Sequence, residues 1–353
     1  MSFFKRLRAL GWFLLAAAWF LFSDLVAMRA ASGLTFGDYY EPLYRIFLLF
    51  LLILGYSLMS RLGQNRISTR KSLGLDPRPG RGGEFALGAA LGWTGVVACV
   101  LPAALIGGLV FTVFGNSHQL FVALLDLAAL ATGTLALEVA FRGFAFQRLV
   151  EAMGPVLATF FLSVIFAIWR THAAPTTTAA VVVSFLLGWT LALAALRTRA
   201  LWVGWGFHFA WATVMSLLFG LPMAGGMNYS PIFVTNAAGP AWVSGGRQGP
   251  EGSAFGVFVA FLLVIAMVRA TSDLKYKFGY QEIVPGGIPV DIDAAARRQH
   301  EETMAHAEPA PPALVQILPV DSAMPTQFVP SPAPRPERPA AVPEEDPPGP
   351  EAS

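Results

Sequence analysis

The stretch Leu135-Ala-Leu-Glu-Val-Ala-Phe-Arg-Gly-Phe-Ala-Phe-Gln-Arg-Leu-Val150 places a carboxylate, Glu138, and a guanidinium, Arg142, inside an otherwise apolar helical run. Ionisable groups in a bilayer cost several kcal/mol or more, so each is a functional candidate with a partner to be found. A spacing of four residues stacks the two on one helix face. Two readings follow. Glu138 is a general base whose basicity is set by burial and by Arg142, or the pair is a structural one that leaves no charge bare in hydrocarbon.

Composition supports the membrane setting. The 353 residues are 55% hydrophobic and 13% charged, about half the charge content of an average soluble domain. A formal net charge of +2 gives no electrostatic footprint for nucleic acid. The single Cys99 excludes a disulfide framework and a cysteine zinc site.

Outward from the opening stretch, apolar runs recur at Leu10–Met28, Ile46–Met59, Phe85–Phe114, Leu120–Val150, Pro155–Trp169, Ala179–Leu196, Leu201–Leu221 and Phe255–Val268. Most approach the roughly 20 residues that cross a bilayer, so the expected fold is all-α, polytopic, with about eight transmembrane helices. The first run, behind Lys5, Arg6 and Arg8, has signal-peptide features, but its length and the spans after it favour an uncleaved helix. The third is long enough to hold an irregular turn near Pro102.

Charge placement tests the count. Eight spans put Lys5, Arg6, Arg8, the cations from Arg61 to Arg81, Arg148, Arg197, Arg199, Arg269, Lys275 and Lys277 on one side. Only Arg29, Arg45, Arg170 and Arg247 fall on the other. By the positive-inside rule both termini are cytoplasmic, in an integral membrane protein expected in a bacterial inner membrane. The expected organisation is N-terminal transmembrane helices over 1–60, a basic cytoplasmic loop over 61–84, a membrane domain over 85–272 and a tail over 273–353. More than half of the 26 prolines lie beyond Glu301, so the tail is expected to be disordered and cytoplasmic.

Polar chemistry enters the membrane at two further places. Arg170 and His172 end the fifth run, where the plain reading is snorkelling to the interface. His208 lies inside the seventh, in Gly204-Trp-Gly-Phe-His-Phe-Ala-Trp-Ala212, and suits a satisfied core residue, a base, an oxyanion donor or a metal ligand. No H-E-x-x-H pattern exists, and nothing in the spacing of Glu138, His172 and His208 requires zinc. Counting along the helices sets Arg170 nearer the outer end and Glu138 and His208 nearer the cytoplasmic half.

Taken in order, these segments resemble the CAAX-protease and bacteriocin-processing (CPBP) intramembrane endopeptidases over roughly Phe85 to Val268. Leu137-Glu-Val-Ala-Phe-Arg-Gly-Phe-Ala-Phe-Gln-Arg-Leu149 is similar to the family's E-E-x-x-F-R-G-x-x-x-Q-R-L motif. Ser163-Val-Ile-Phe-Ala-Ile-Trp-Arg170 is similar to its S-x-L-F-x-x-x-H helix, and Leu201 to Ala212 to its L-W-x-x-x-x-x-H-x-x-x-N helix. Phe219-Gly-Leu-Pro-Met-Ala-Gly225 and Gly245-Gly-Arg-Gln-Gly-Pro-Glu-Gly-Ser253 resemble trailing segments of the family.

The resemblance implies a peptidase acting on a membrane-anchored protein or peptide amid membrane lipid. In the family the first glutamate activates water, a histidine assists, and a histidine and an asparagine stabilise the oxyanion. Those four positions hold Leu137, Arg170, His208 and Ala212 here, so only His208 is retained. Glu138, His208, His172 and Arg142 are the expected catalytic set, with Glu138 as base, His208 as oxyanion donor and His172 for the displaced histidine. Arg170 and Trp211 are the expected substrate contacts, and Arg170 could instead clamp Glu138. A divalent metal such as zinc is implied by the resemblance alone. The alternative function is a catalytically silent membrane scaffold or immunity-type binding protein. No inverted repeat or pair of broken helices supports a transporter.

Overall fold

A computed structural model describes residues 3–34, 37–63, 69–113, 117–172, 176–223, 229, 232–274 and 300–301. Residues 1–287 form one unit. A second begins at Ile288, and in it His300 and Glu301 are described, both helical. The expected disordered tail otherwise lies outside the described residues.

The first unit is built of apolar helices: α1 (Phe3–Leu34), α2 (Tyr40–Gly63), α3 (Arg81–Leu105), α4 (Ser117–Arg142), α5 (Phe144–Met153), α6 (Pro155–Thr171), α7 (Thr178–Thr198), α8 (Trp202–Ala212) and α9 (Ala254–Ala270). Six segments are long and apolar enough to cross a membrane, with α4 and α5 together making one of them. Helix α6 is a shorter apolar helix of 17 residues, about 26 Å at 1.5 Å per residue. Helix α8 runs on into a π-helix, Thr213–Leu218. With these two, each of the eight expected runs contains a helix, and the protein is an all-α polytopic membrane protein.

Local chemistry sets the breaks. Helix α4 ends at the Arg142-Gly143 step, where Gly143 leaves the helical range at ψ −129°, and the bend needs glycine because a Cβ there would meet the Val139 carbonyl at 2.5 Å. Pro155 opens α6 at a position where its missing N–H costs nothing, after Gly154 at φ 86°. The third run differs from expectation. Pro102 lies inside α3, the helix ends at Leu105, and Gly107 at φ 76° turns the chain into a strand. That strand, β1 (Leu109–Val113), pairs antiparallel with β2 (Phe233–Ala237), Leu109 opposite Ala237.

Helices α3 and α8 approach closely. A Cβ on Gly88 would lie 2.0 Å from the Val203 carbonyl oxygen, and one on Gly206 2.0 Å from that of Phe85. Small residues let membrane helices meet backbone to backbone, which fixes α8 and therefore His208.

The cation-rich helix ends are tied into one surface. The Leu201 N–H donates to the Gly74 carbonyl at 2.9 Å, and the Gln147 side chain to that of Ser72 at 2.9 Å. Arg78 donates to the Thr198 carbonyl at 2.8 Å and also pairs with Glu84. Arg197 donates to Thr271 Oγ1 at 2.7 Å.

Candidate active site

Leu137 and Glu138 are neighbours on α4 and so point about 100° apart. Glu138 turns inward and is fully buried, while Leu137 faces a cavity of about 360 Å³ enclosed by α1, α2, α4, α6 and α8. From α8, His208 Nδ1 lies 2.8 Å from Glu138 Oε1. A carboxylate only accepts, so Nδ1 is the donor, and in the neutral ring Nε2 then keeps its lone pair. His208 also lines the cavity, and Nε2 is the ring nitrogen left for it. Gly204 makes room for this pair, since a Cβ there would stand 3.1 Å from Glu138 Oε2.

The same carboxylate oxygen pairs with Arg142 Nη1 at 3.5 Å. Arg142 Nη2 donates to the Gly188 carbonyl of α7 at 3.3 Å, and its guanidinium lies 4.1 Å from the Phe166 ring centroid. Phe166 meets the His208 ring edge-on at 6.0 Å. One apolar ring therefore holds both partners of Glu138. The expected ion pair is present, and it binds α4 to α7 and α8.

Arg170 sits one turn beyond Phe166 on α6 and does not clamp Glu138. Its Nη2 donates to both oxygens of Glu251, at 2.8 and 3.1 Å. Trp211 Nε1 donates to Glu251 Oε1 at 2.7 Å. Glu251 is fully buried and reaches this place on a 3-10 segment, Gly246–Gly252. The glycines before it are required, because Gly245, Gly246 and Gly249 all have positive φ and a Cβ on Gly249 would meet the Pro222 carbonyl at 2.4 Å. Sequence reading placed Glu251 in a trailing loop. Its one signal is that no other Asp or Glu lies between Leu201 and Ser272.

Arg170, Trp211 and Ala212 share the cavity with Leu137 and His208, which resolves the apparent difference in depth. The cavity runs from His208 at its floor to the ends of α1, α2 and α6. His172 lies exposed on this rim, with Nδ1 2.7 Å from the Trp169 carbonyl. Across the mouth, Tyr44 donates to Asp24 and Arg45 pairs with Glu41 at 3.4 Å. Gly133 leaves space for Arg45, since a Cβ there would lie 2.8 Å from its Cδ. Burial pushes the phenol of Tyr229, also on the rim, up to about 12, so it stays a neutral group at neutral pH.

The residues do not fit a catalytic zinc. Among the described residues no three His, Cys, Asp or Glu side chains cluster as ligands. Glu138 and His208 meet, but the third position is Arg170, a permanent cation, and His172 turns to a backbone carbonyl.

Residues 119–214, from α4 into the π-helix, match the family model of the type II CAAX prenyl endopeptidase Rce1-like proteins. This segment belongs to the CAAX-protease family. Neither curated proteins nor solved structures give a significant match to the chain. The CAAX-protease segment contains Leu137, Arg170, His208 and Ala212, and all four line the one cavity. The four positions that the resemblance assigns to the family's site thus share one cavity, and of their side chains only His208 is the one the family has. Asp24, Glu41, Tyr44 and Arg45 lie outside the CAAX-protease segment and complete the wall, and Glu251, also outside it, bonds to Arg170 and Trp211 of that wall.

The Arg170–Glu251–Trp211 cluster gives a first expected result. Glu251→Gln keeps shape and removes charge, and hydrogen bonds to charged groups contribute about 1.5–3 kcal/mol. Unfolding in detergent should show a loss of that size. A double-mutant cycle with Arg170→Ala should return a coupling above 1 kcal/mol, and additive single effects would show that the two side chains do not depend on each other.

Proposed function

We propose that this CAAX-type family member is an intramembrane endopeptidase of altered mechanism, cutting a membrane-proximal peptide bond of a membrane-anchored protein or peptide. The observation that carries the reading is the His208–Glu138 contact of 2.8 Å at the floor of a cavity lined by all four family positions. Glu138 is fully buried and shared with Arg142, so its role is positioning rather than direct activation of water. It fixes the tautomer and orientation of His208, as carboxylates do for catalytic imidazoles.

In the proposed step, His208 Nε2 removes a proton from water as the oxygen adds to the peptide carbonyl carbon. The carbonyl electrons move onto oxygen, and an Arg170 N–H donates to the oxyanion. Collapse of the tetrahedral intermediate breaks the C–N bond, and His208 returns the proton to the leaving amine. Arg170 and Trp211 border the substrate, and His172 meets it at the rim. This reading takes the membrane to be a bacterial inner membrane with both termini cytoplasmic, which the distribution of Lys and Arg supports.

The test is cleavage of a panel of membrane-proximal peptides by protein purified in detergent. His208→Ala should lower kcat/KM about 10²–10⁴-fold, with Glu138→Gln falling in the same direction. Cleavage unchanged in both variants, or seen with no protein, would sink the catalytic reading. A specific observation supports the second reading, a protein that binds such segments without cutting. Leu137 and Ala212 present only hydrocarbon where the family has its base and an oxyanion donor. In that case wild type binds the peptides and cleaves none.

A further inference from the structure

The cavity's wall comes from one end of α1, α2, α6 and α8, and from the middle of α4 between Ala129 and Leu137. Asp24 and Met28 lie in the last part of α1, Tyr40, Glu41, Tyr44 and Arg45 in the first turns of α2, and Trp169, Arg170 and His172 at the end of α6. Met223 follows the π-helix. Nothing in the wall comes from the start of α1, the end of α2, the start of α3 or the ends of α7 and α9.

Those other ends form the cation-rich surface joined by the hydrogen bonds of Ser72, Gly74, Arg78 and Arg197. Lys5, Arg6, Arg8, Arg61, Arg70, Lys71, Arg81, Arg148, Arg199 and Arg269 all fall on that side. Of the four cations on the cavity side, Arg45 and Arg170 are paired within the wall by Glu41 and Glu251. Arg29 and Arg247 are exposed. The count of Lys and Arg favours the opposite surface as cytoplasmic.

We infer that the cavity opens to the non-cytoplasmic side of the membrane, and that its peptide partner is a segment presented from that side. The peptide partner rests on the peptidase reading, whereas the direction of the opening does not. Both ends of the cavity agree with it. The mouth carries charged and tyrosine side chains suited to an aqueous surface, whereas at the cation-rich surface α5 and the start of α8 are bonded to the loop before α3 through Gln147–Ser72 and Leu201–Gly74. A segment confined to the cytoplasmic face would have to pass the packed helix ends around Ser72, Gly74 and Leu201 to reach His208.

The test reads sidedness without needing activity. Cys99 is the only cysteine and is buried, so Cys99→Ser provides a thiol-free background. In it His172→Cys and Tyr39→Cys probe the rim, and Arg70→Cys probes the cation-rich surface. A membrane-impermeant maleimide applied to intact spheroplasts should label the first two, and Arg70→Cys only after permeabilisation. Tyr39 is 51% exposed, so its variant carries the reading should His172→Cys fail to accumulate. The reverse pattern overturns the proposal. The cleavage assay in detergent separates the two failures. A protein that labels as expected and cleaves nothing loses the peptidase reading and keeps its orientation. One that cleaves but labels in reverse loses the orientation alone.

Discussion

Arg142→Ala is expected to lower the unfolding free energy in detergent by about 3–5 kcal/mol, the range for removing one partner of a buried ion pair. Both side chains have no exposed surface, so the remaining Glu138 could not find water without opening the contacts among α4, α7 and α8. His208 would be its only polar partner among the described residues. The loss should exceed a plain cavity effect, because three separate contacts vanish: Glu138, the Gly188 carbonyl and the face of Phe166. Arg142→Lys keeps the charge but loses the planar stack and the second donor, so it should fall between wild type and alanine. The decisive variant is the double one, Glu138→Gln with Arg142→Met, in which no buried charge remains. It should recover most of the stability while cleavage, which needs the carboxylate to orient His208, stays low. If the double variant is no more stable than Arg142→Ala, the cost lies in packing and not in an orphaned charge.

How this arrangement was legible from sequence depends on which force leaves a mark there. The bilayer marks strongly. Each crossing must be apolar, so all eight runs could be read, and the four family positions followed from the resemblance of three helices to the family's motifs. The Leu109–Val113 strand left no mark, since a short apolar β-branched run looks the same as the continuation of a buried helix. In the sequence it therefore reads as the end of the third span. The break at Gly143 was also missed, because only its fit against the Val139 carbonyl demands glycine. Pairing across long sequence distances is the least legible of all. Arg170 could be seen to need a partner, but Glu251 lies 81 residues away in a loop whose glycines gave no reason to think it buried. Arg45 looked like a surface charge of the outer side, whereas the space beside Gly133 draws it into the cavity wall.

The double variant Leu137→Glu with Ala212→Asn is expected to raise kcat by about 10²-fold or more, because one well-placed oxyanion donor alone is worth about 10²–10³. The two changes return hydrogen-bonding groups to positions where the cavity wall now offers hydrocarbon. Leu137 is partly exposed to the cavity and lies on a different face of α4 from Glu138, so a carboxylate there leaves the Glu138–His208–Arg142 group intact. Arg170 and His208 border the same space, and a new anion near them is less costly than one in bare hydrocarbon. A neutral control, Leu137→Gln with Ala212→Asn, matches the shape without supplying a base and should gain much less. Measured together, the two variants separate a carboxylate acting as base from one that only fills space. A rise in kcat at nearly constant KM would mean that the peptide already occupies the cavity and lacked only the groups that act in the transition state. No rise in a variant that folds normally would mean that the scissile bond does not sit at Leu137 and Ala212. The retained family geometry would then serve binding, and the three substitutions would mark a site specialised to hold a peptide without hydrolysing it.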